Sequence, residues 1–202
     1  MRLIVPTSPL WLETVLGDFD AFLVDHAACE RKASGTAMAF LSHYPDRPDL
    51  VAACAELAVE ELGHFRQVVG WVLRRGLTLP ADRRDAYVRR LTRECRPGAA
   101  AYFLDRLLIA SIVEARGCER LALVASAHPD AELRDFYRDL ARSEARHQDL
   151  YAELAGRYFP LGDVQSRLAE LLTVEGRLVA SLPAVPALFS AGVEVVEETV
   201  PS

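Results

Sequence analysis

What this sequence of 202 residues lacks excludes several classes of protein. No apolar run approaches the roughly 18 residues that a membrane-spanning helix needs, and the first residues lack the longer apolar core of a signal peptide. The four cysteines form no C-x-x-C pair, which argues against a zinc ribbon and against a disulfide framework. We therefore expect a cytoplasmic protein with reduced thiols and no membrane association.

An excess of positive charge is also lacking, because 23 Lys and Arg residues face 29 Asp and Glu residues, which gives a formal net charge of −6. This balance argues against a protein coated in basic residues for general nucleic-acid binding, although it permits a local basic patch. No G-x-G-x-x-G dinucleotide signature, no solenoid-type repeat and no strand-like alternation is present. We expect one domain over residues 1–202, with a core at about 10–181 and a loose acidic tail at about 183–202.

The apolar residues recur at helical spacing, and prolines or glycines separate the resulting segments. The expected fold class is therefore all-α, a four-helix bundle with one long crossover and an additional C-terminal helix. The crossover, residues 77–98, has a possible short helix from 82 to 95. The predicted long helices cover about 18–44, 49–75, 99–127, 130–158 and 163–181.

Polar residues interrupt the apolar stripes of the four bundle helices at similar depth. Each stripe carries a glutamate near its middle, and two of them add a histidine three residues later. Burying unpaired carboxylates is costly, no lysine or arginine lies on these stripes to pair with them, and a metal ion would compensate. This is the ligand set of a carboxylate-bridged dinuclear site suited to iron or manganese. Its members are Glu30, Glu61, His64, Glu114, Glu144 and His147.

Three neighbouring residues are left outside this predicted site. His26 lies one turn before Glu30 and could orient that ligand, but a core role explains it equally well. Tyr137 and Tyr151 flank the ligands of the fourth bundle helix, and packing is the preferred interpretation for both.

Three stretches of the sequence closely resemble the tRNA hydroxylase family of the 2-methylthio-isopentenyladenosine pathway, which belongs to the ferritin-like di-iron superfamily. They are residues 18–34, 113–120 and 143–147, and the likeness extends from about residue 8 to about residue 185. The resemblance implies a ferritin-like bundle and a non-haem di-iron monooxygenase. Such an enzyme would hydroxylate the isopentenyl side chain of 2-methylthio-N6-isopentenyladenosine next to the anticodon of tRNA. It would use two iron ions, O2 as co-substrate, and an external reductant delivered by an electron-transfer partner.

The resemblance also implies how the ligands divide between the metals. One iron would be held by Glu30, Glu61, His64 and Glu144. The other would be held by Glu61, Glu114, Glu144 and His147. Glu61 and Glu144 would therefore bridge the two ions.

The crossover carries a basic patch that suits an RNA substrate. Between Arg74 and Arg96 there are eight arginines and three acids, a local balance of +5. Arginine binds phosphate oxygens through a bidentate fork, so this patch is expected to contact the tRNA anticodon arm. A solvated, salt-bridged crossover is the alternative. The arginines expected to bind phosphates are Arg83, Arg84, Arg89, Arg90 and Arg93.

Two other functions use the same type of ligand set. One is iron storage or ferroxidase activity in a cage-forming ferritin relative, which would not share the three stretches above. The other is a peroxide-scavenging dinuclear protein, although a rubrerythrin would normally bring a C-x-x-C module that is absent here.

Overall fold

The computed structural model describes residues 1–81 and 85–190, and within these ranges it contains seven helices and no strand. The all-α fold class is confirmed, and each predicted long helix ends within two residues of its expected bounds. The crossover helix is shorter than expected, and residues 82–84 of its predicted span lie outside the described ranges. The helices are α1 (Pro9–Gly17), α2 (Phe19–His43), α3 (Pro48–Arg74), α4 (Ala86–Thr92), α5 (Ala99–Ala127), α6 (Ala131–Tyr158) and α7 (Leu161–Val179).

Side-chain caps and prolines explain most of these boundaries. Asp18 caps α2 by accepting a hydrogen bond from Ala21 N at 3.1 Å, and Asp130 caps α6 by accepting from Glu132 N at 2.8 Å. Helix α1 was not predicted. Ser8 caps it through Leu10 N at 3.2 Å, and Pro9 occupies its first turn, where a missing N–H costs nothing.

The bundle consists of two helix pairs, α2 with α3 and α5 with α6. The pairs meet along α3 and α6, whereas the backbones of α2 and α5 make no close approach in the described chain. Helix α4 and the segment after α7 cover the resulting opening. No helix of the described residues is long and apolar enough to cross a membrane.

Residues 183–190 are packed, so the prediction of a loose tail from residue 183 is wrong for this segment. Trp11 Nε1 donates to Ala187 O at 3.0 Å, and Leu188 N donates to Asp25 Oδ2 at 2.8 Å. The Arg120 guanidinium donates to the carbonyls of Leu188 and Ser190. These bonds satisfy the backbone of the segment and fix it against the bundle. The rest of the predicted tail, residues 191–202, lies outside the described residues.

Two clusters of charged side chains, each with a buried carboxylate, hold the other peripheral elements. Arg116 on α5 and Glu175 on α7 are both 0% exposed, and Arg116 Nε donates to Glu175 Oε1 at 2.8 Å. The Tyr87 hydroxyl of α4 donates to the same oxygen at 2.9 Å. At the far end of α5, buried Asp105 accepts hydrogen bonds from Arg96 and Arg167. These contacts dock α4 and α7 onto α5.

Candidate metal centre and pocket

The four bundle helices bring all six predicted ligands into one cluster. Glu30 lies on α2, Glu61 and His64 on α3, Glu114 on α5, and Glu144 and His147 on α6. All are buried except Glu114, which is partly exposed and lines the pocket described below. These residues lie at the same level on the inward faces of the four bundle helices, so their side chains meet, as the spacing predicted.

Two carboxylates of the cluster contact both imidazoles. His147 Nδ1 lies 2.7 Å from Glu61 Oε1 and 3.1 Å from Glu144 Oε2. His64 Nδ1 lies 3.2 Å from Glu144 Oε1 and 3.7 Å from Glu61 Oε2. Donor atoms of these four residues all lie within 4.8 Å of one another. Glu30 lies on the His64 side, where its Oε2 is 3.5 Å from His64 Nδ1.

The crowded carboxylates have opposite pKa shifts. Burial and the charge of Glu144 raise the pKa of Glu61 to about 7. Burial and repulsion by Glu61 and Glu144 also raise the pKa of Glu114 well above its usual range. Burial opposes ionisation of Glu144, but the close contacts with the imidazoles of His147 and His64 outweigh it and lower its pKa. The cluster therefore needs added positive charge to hold all its carboxylates ionised, and protons or cations provide that charge.

The unsatisfied polar atoms of the structure concentrate at this cluster. In the described chain, seven buried side-chain nitrogen and oxygen atoms lack a hydrogen-bond partner, and six of them belong to these residues. Buried polar atoms are normally satisfied, so such a concentration requires an explanation. Carboxylate and imidazole donors that converge without partners fit iron or manganese ions. The cluster members are Glu30 Oε2, Glu61 Oε1 and Oε2, His64 Nδ1, Glu144 Oε1 and His147 Nε2.

The structure also brings residues to the cluster that the sequence interpretation left out. His26 Nε2 is 2.5 Å from Glu30 Oε1, so His26 contacts a predicted ligand directly. On the opposite side, Glu60 Oε2 lies 3.3 Å from His147 Nε2. Glu60 Oε1 accepts hydrogen bonds from Ser143 Oγ and Arg146 Nη2, both at 2.6 Å. Glu60 lies off the apolar stripe, and only its position beside Glu61 in the sequence could have pointed to it.

A cavity of about 560 Å³ leads to the cluster through the opening between α2 and α5. Four of the predicted ligand glutamates line its buried end, and Lys32, Arg89 and Arg106 line its wall nearer the surface. Between them the wall is mostly apolar. Its apolar members are Ala33, Val88, Ile109, Ala110, Val113, Leu121, Leu188 and Phe189.

Three of the predicted phosphate-binding arginines can be located. Arg89 and Arg90 are exposed on α4 and Arg93 is exposed at its C-cap, and we call these three the α4 arginines; Arg89 also lines the cavity. Within the described ranges, no carboxylate pairs with their guanidinium groups. Arg83 and Arg84 lie outside the described residues.

Comparison with known proteins gives one family. The model of the family described as "tRNA-(MS[2]IO[6]A)-hydroxylase (MiaE)" matches residues 2–190. A Pseudomonas putida protein named tRNA 2-(methylsulfanyl)-N(6)-isopentenyladenosine(37) hydroxylase is 38% identical over 167 residues, which is 83% of this chain and 80% of that protein. A Salmonella typhimurium protein of the same name is 31% identical over 157 residues, 78% of this chain and 57% of that protein.

A solved structure has the same architecture. It is titled "Protein 43 with aldehyde deformylating oxygenase activity from Synechococcus", and it superposes with a TM-score of 0.91. The two chains are 38% identical, and the match covers 98% of this chain and 100% of the other. The titles of these relatives name different substrates, so the fold alone does not determine the substrate.

Proposed function

This chain belongs to the MiaE family of tRNA hydroxylases, and from this premise we propose its substrate and its site. It hydroxylates the isopentenyl side chain of 2-methylthio-N6-isopentenyladenosine beside the anticodon of tRNA. One atom of O2 enters a C–H bond and the other leaves as water, with two electrons and two protons from an external donor. The observation that carries the proposal is the apolar cavity between the α4 arginines and the carboxylate–imidazole cluster.

The cluster would hold two iron ions, which supply the O2-activating chemistry when bound. Glu61 and Glu144 would be shared between the ions, because each contacts both His64 and His147. Glu30 would complete the His64 side, and Glu114 would complete the other. The proposed ligands are thus Glu30, Glu61, His64, Glu114, Glu144 and His147.

The apolar wall gives the isopentenyl group a favourable place beside the cluster. Burying its five carbons, at about 0.8 kcal/mol per carbon, would contribute roughly 4 kcal/mol to binding. The same wall excludes water from the reacting carbon, which protects the oxidising chemistry from side reactions. Glu114, the most accessible carboxyl group of the cluster, lies where the side chain would enter.

The α4 arginines would bind the phosphates of the anticodon arm while the nucleoside enters the cavity. Arg89 supports this geometry, because it is exposed on α4 and also lines the cavity. Arg83 and Arg84 of the same basic stretch, which lie outside the described residues, are proposed as further phosphate contacts with Arg90 and Arg93. Such contacts give affinity and orientation, and the cavity then selects the modified base. A cytoplasmic location and an electron-transfer partner follow from this substrate and this reaction.

Nucleoside analysis of bulk tRNA tests the substrate assignment directly. Cells lacking the gene should accumulate the unhydroxylated nucleoside, and expression of the wild-type chain should restore the hydroxylated one. A chain carrying Glu144→Ala should fail to restore it. An unchanged nucleoside profile in cells that make the precursor would overturn the assignment.

Aldehyde deformylation is a second candidate, because the Synechococcus structure matches nearly the whole chain at 38% identity. A long-chain aldehyde would use the apolar wall but would leave Arg89, Arg90 and Arg93 without a role. Incubating the iron-loaded protein with a fatty aldehyde and a reductant decides between the two. Formation of the shortened hydrocarbon would favour this second function.

A further inference from the structure

His26 connects the cluster to a second helix through two hydrogen bonds. The imidazole is 0% exposed, and its Nε2 lies 2.5 Å from Glu30 Oε1. Its Nδ1 lies 3.2 Å from the hydroxyl oxygen of Tyr137, a fully buried residue of α6. Both ring nitrogens are therefore engaged, one by a proposed ligand and one by the opposite helix pair.

The two contacts constrain the imidazole from both sides. An imidazole can donate a hydrogen bond from one ring nitrogen and accept one at the other, so His26 can bond the Glu30 carboxylate and the Tyr137 hydroxyl at the same time. Aromatic neighbours fix the ring itself, since Phe22 stacks on it with centroids 5.8 Å apart.

The hydrogen bond divides the two oxygens of Glu30 between different tasks. Oε1 is held by His26, whereas Oε2 points to the cluster, lies 3.5 Å from His64 Nδ1 and has no hydrogen-bond partner. We propose that His26 and Tyr137 are positioning residues, which hold Glu30 so that Oε2 faces the metal. This inference rests on the proposed metal site, and it assigns these two residues a role beyond packing.

A comparable buried hydroxyl elsewhere in the fold provides a matched control. The Tyr87 hydroxyl donates to Glu175, whose carboxylate is paired with Arg116 and lies outside the cluster. If buried tyrosine hydroxyls only stabilised the fold, removing either hydroxyl would leave metal binding unchanged. If Tyr137 positions a ligand, Tyr137→Phe changes metal binding and Tyr87→Phe does not.

Binding of Co²⁺ tests the proposal without measuring catalysis. Affinity comes from calorimetry of the metal-free protein, and the ligand geometry from the visible absorption of the bound ion. His26→Phe keeps an aromatic ring but removes both hydrogen bonds, and should weaken binding about 10–100-fold. His26→Gln retains an N–H donor toward Glu30 and should recover most of the affinity. Tyr137→Phe should alter the absorption spectrum and weaken binding less than His26→Phe.

Three results would overturn the proposal. Unchanged Co²⁺ affinity and spectrum in His26→Phe would do so, and if this variant does not fold, an unchanged spectrum in Tyr137→Phe is decisive. An equal change in Tyr87→Phe would assign the effect to general stability. A wild-type protein that binds no Co²⁺ would remove the metal site on which the role depends. A wild-type protein that binds Co²⁺ but leaves tRNA unmodified would reject only the tRNA assignment.

Discussion

The salt dependence of RNA binding gives a quantitative test of the α4 surface. Arg89, Arg90 and Arg93 are exposed, and no carboxylate in the described part of the chain neutralises them. If each contacts one phosphate, each releases condensed counterions when RNA binds. The slope of log K against log salt concentration then changes by about 0.7–0.9 per contact. Replacing all three by glutamine should reduce the magnitude of the slope by about 2–3, which corresponds to roughly 100-fold weaker binding near 0.1 M salt.

Fluorescence anisotropy with an anticodon stem-loop that carries the prenylated adenosine measures this slope. Titrations at several salt concentrations between about 50 and 200 mM cover the range in which phosphate contacts dominate. Metal content should be the same as in the wild type, since these side chains lie outside the cluster.

Helix α6 offers matched control residues. Arg138 and Arg142 are also exposed, but Asp135 lies 2.5 Å from the first and Asp139 lies 3.2 Å from the second. Their replacement by glutamine should leave the slope unchanged. A triple α4 variant with the wild-type slope would refute the assignment of this surface to phosphates. An equal reduction per arginine removed in the α6 variant would show that only net charge matters.

Three further predictions concern the cluster and the framework around it. Glu144→Ala removes the carboxylate that contacts both histidines, so calorimetry should detect loss of both Co²⁺ equivalents; two retained ions would contradict its shared role. Glu175→Gln removes the buried carboxylate that pairs with Arg116 and leaves this guanidinium only the partly exposed Glu119 as a carboxylate partner, so it should cost about 3 kcal/mol in the free energy of unfolding. Glu170 is exposed on the same helix, so Glu170→Gln should lower the free energy of unfolding by less than about 1 kcal/mol. Equal thermal shifts for the two variants would refute the distinction between the buried and the exposed pair. Burial opposes ionisation of Asp105, but hydrogen bonds from its two arginine partners outweigh this effect and lower its pKa. The ionised carboxylate therefore stabilises the fold at pH values above its unfolded-state pKa, and this stabilisation is lost as pH falls below about 4. The midpoint of urea unfolding should therefore decline less steeply with falling pH in Asp105→Asn than in the wild type. Parallel pH dependences of the two proteins would exclude this contribution.

The bundle and its cluster could be predicted because both follow from local periodicity. Apolar spacing and proline breaks fix the helix ends within two residues. Once four stripes face a common axis, polar residues at equal depth must meet, which is why Glu30 and Glu114 join the two Glu-x-x-His pairs. This prediction requires no knowledge of contacts between residues that are distant in the sequence.

The remaining features depend on contacts between distant residues. Trp11 donates to the carbonyl of Ala187, 176 positions away. The sequence of either segment alone therefore does not indicate that the two pack together. The contacts of His26 with Tyr137 and of Glu60 with His147 depend on how α2 and α3 are rotated relative to α6. A one-residue change in helix register would break them without altering any hydrophobic pattern.

Helix α5 shows how the cavity and the cluster are maintained by a single stretch, residues 113–120. Glu114 lines the buried end of the cavity, and Gly117 lines its wall, where an added Cβ would lie 3.9 Å from Phe189. In the same two turns, Arg116 anchors α7, and Arg120 binds the carbonyls of the segment after it. That segment and α4 cover the opening between α2 and α5 without closing it. If α2 and α5 packed directly together, the cluster would remain buried but no nucleoside could reach it. The buried arginines therefore support the proposed reaction indirectly, because they fix the position of the elements that cover the cavity.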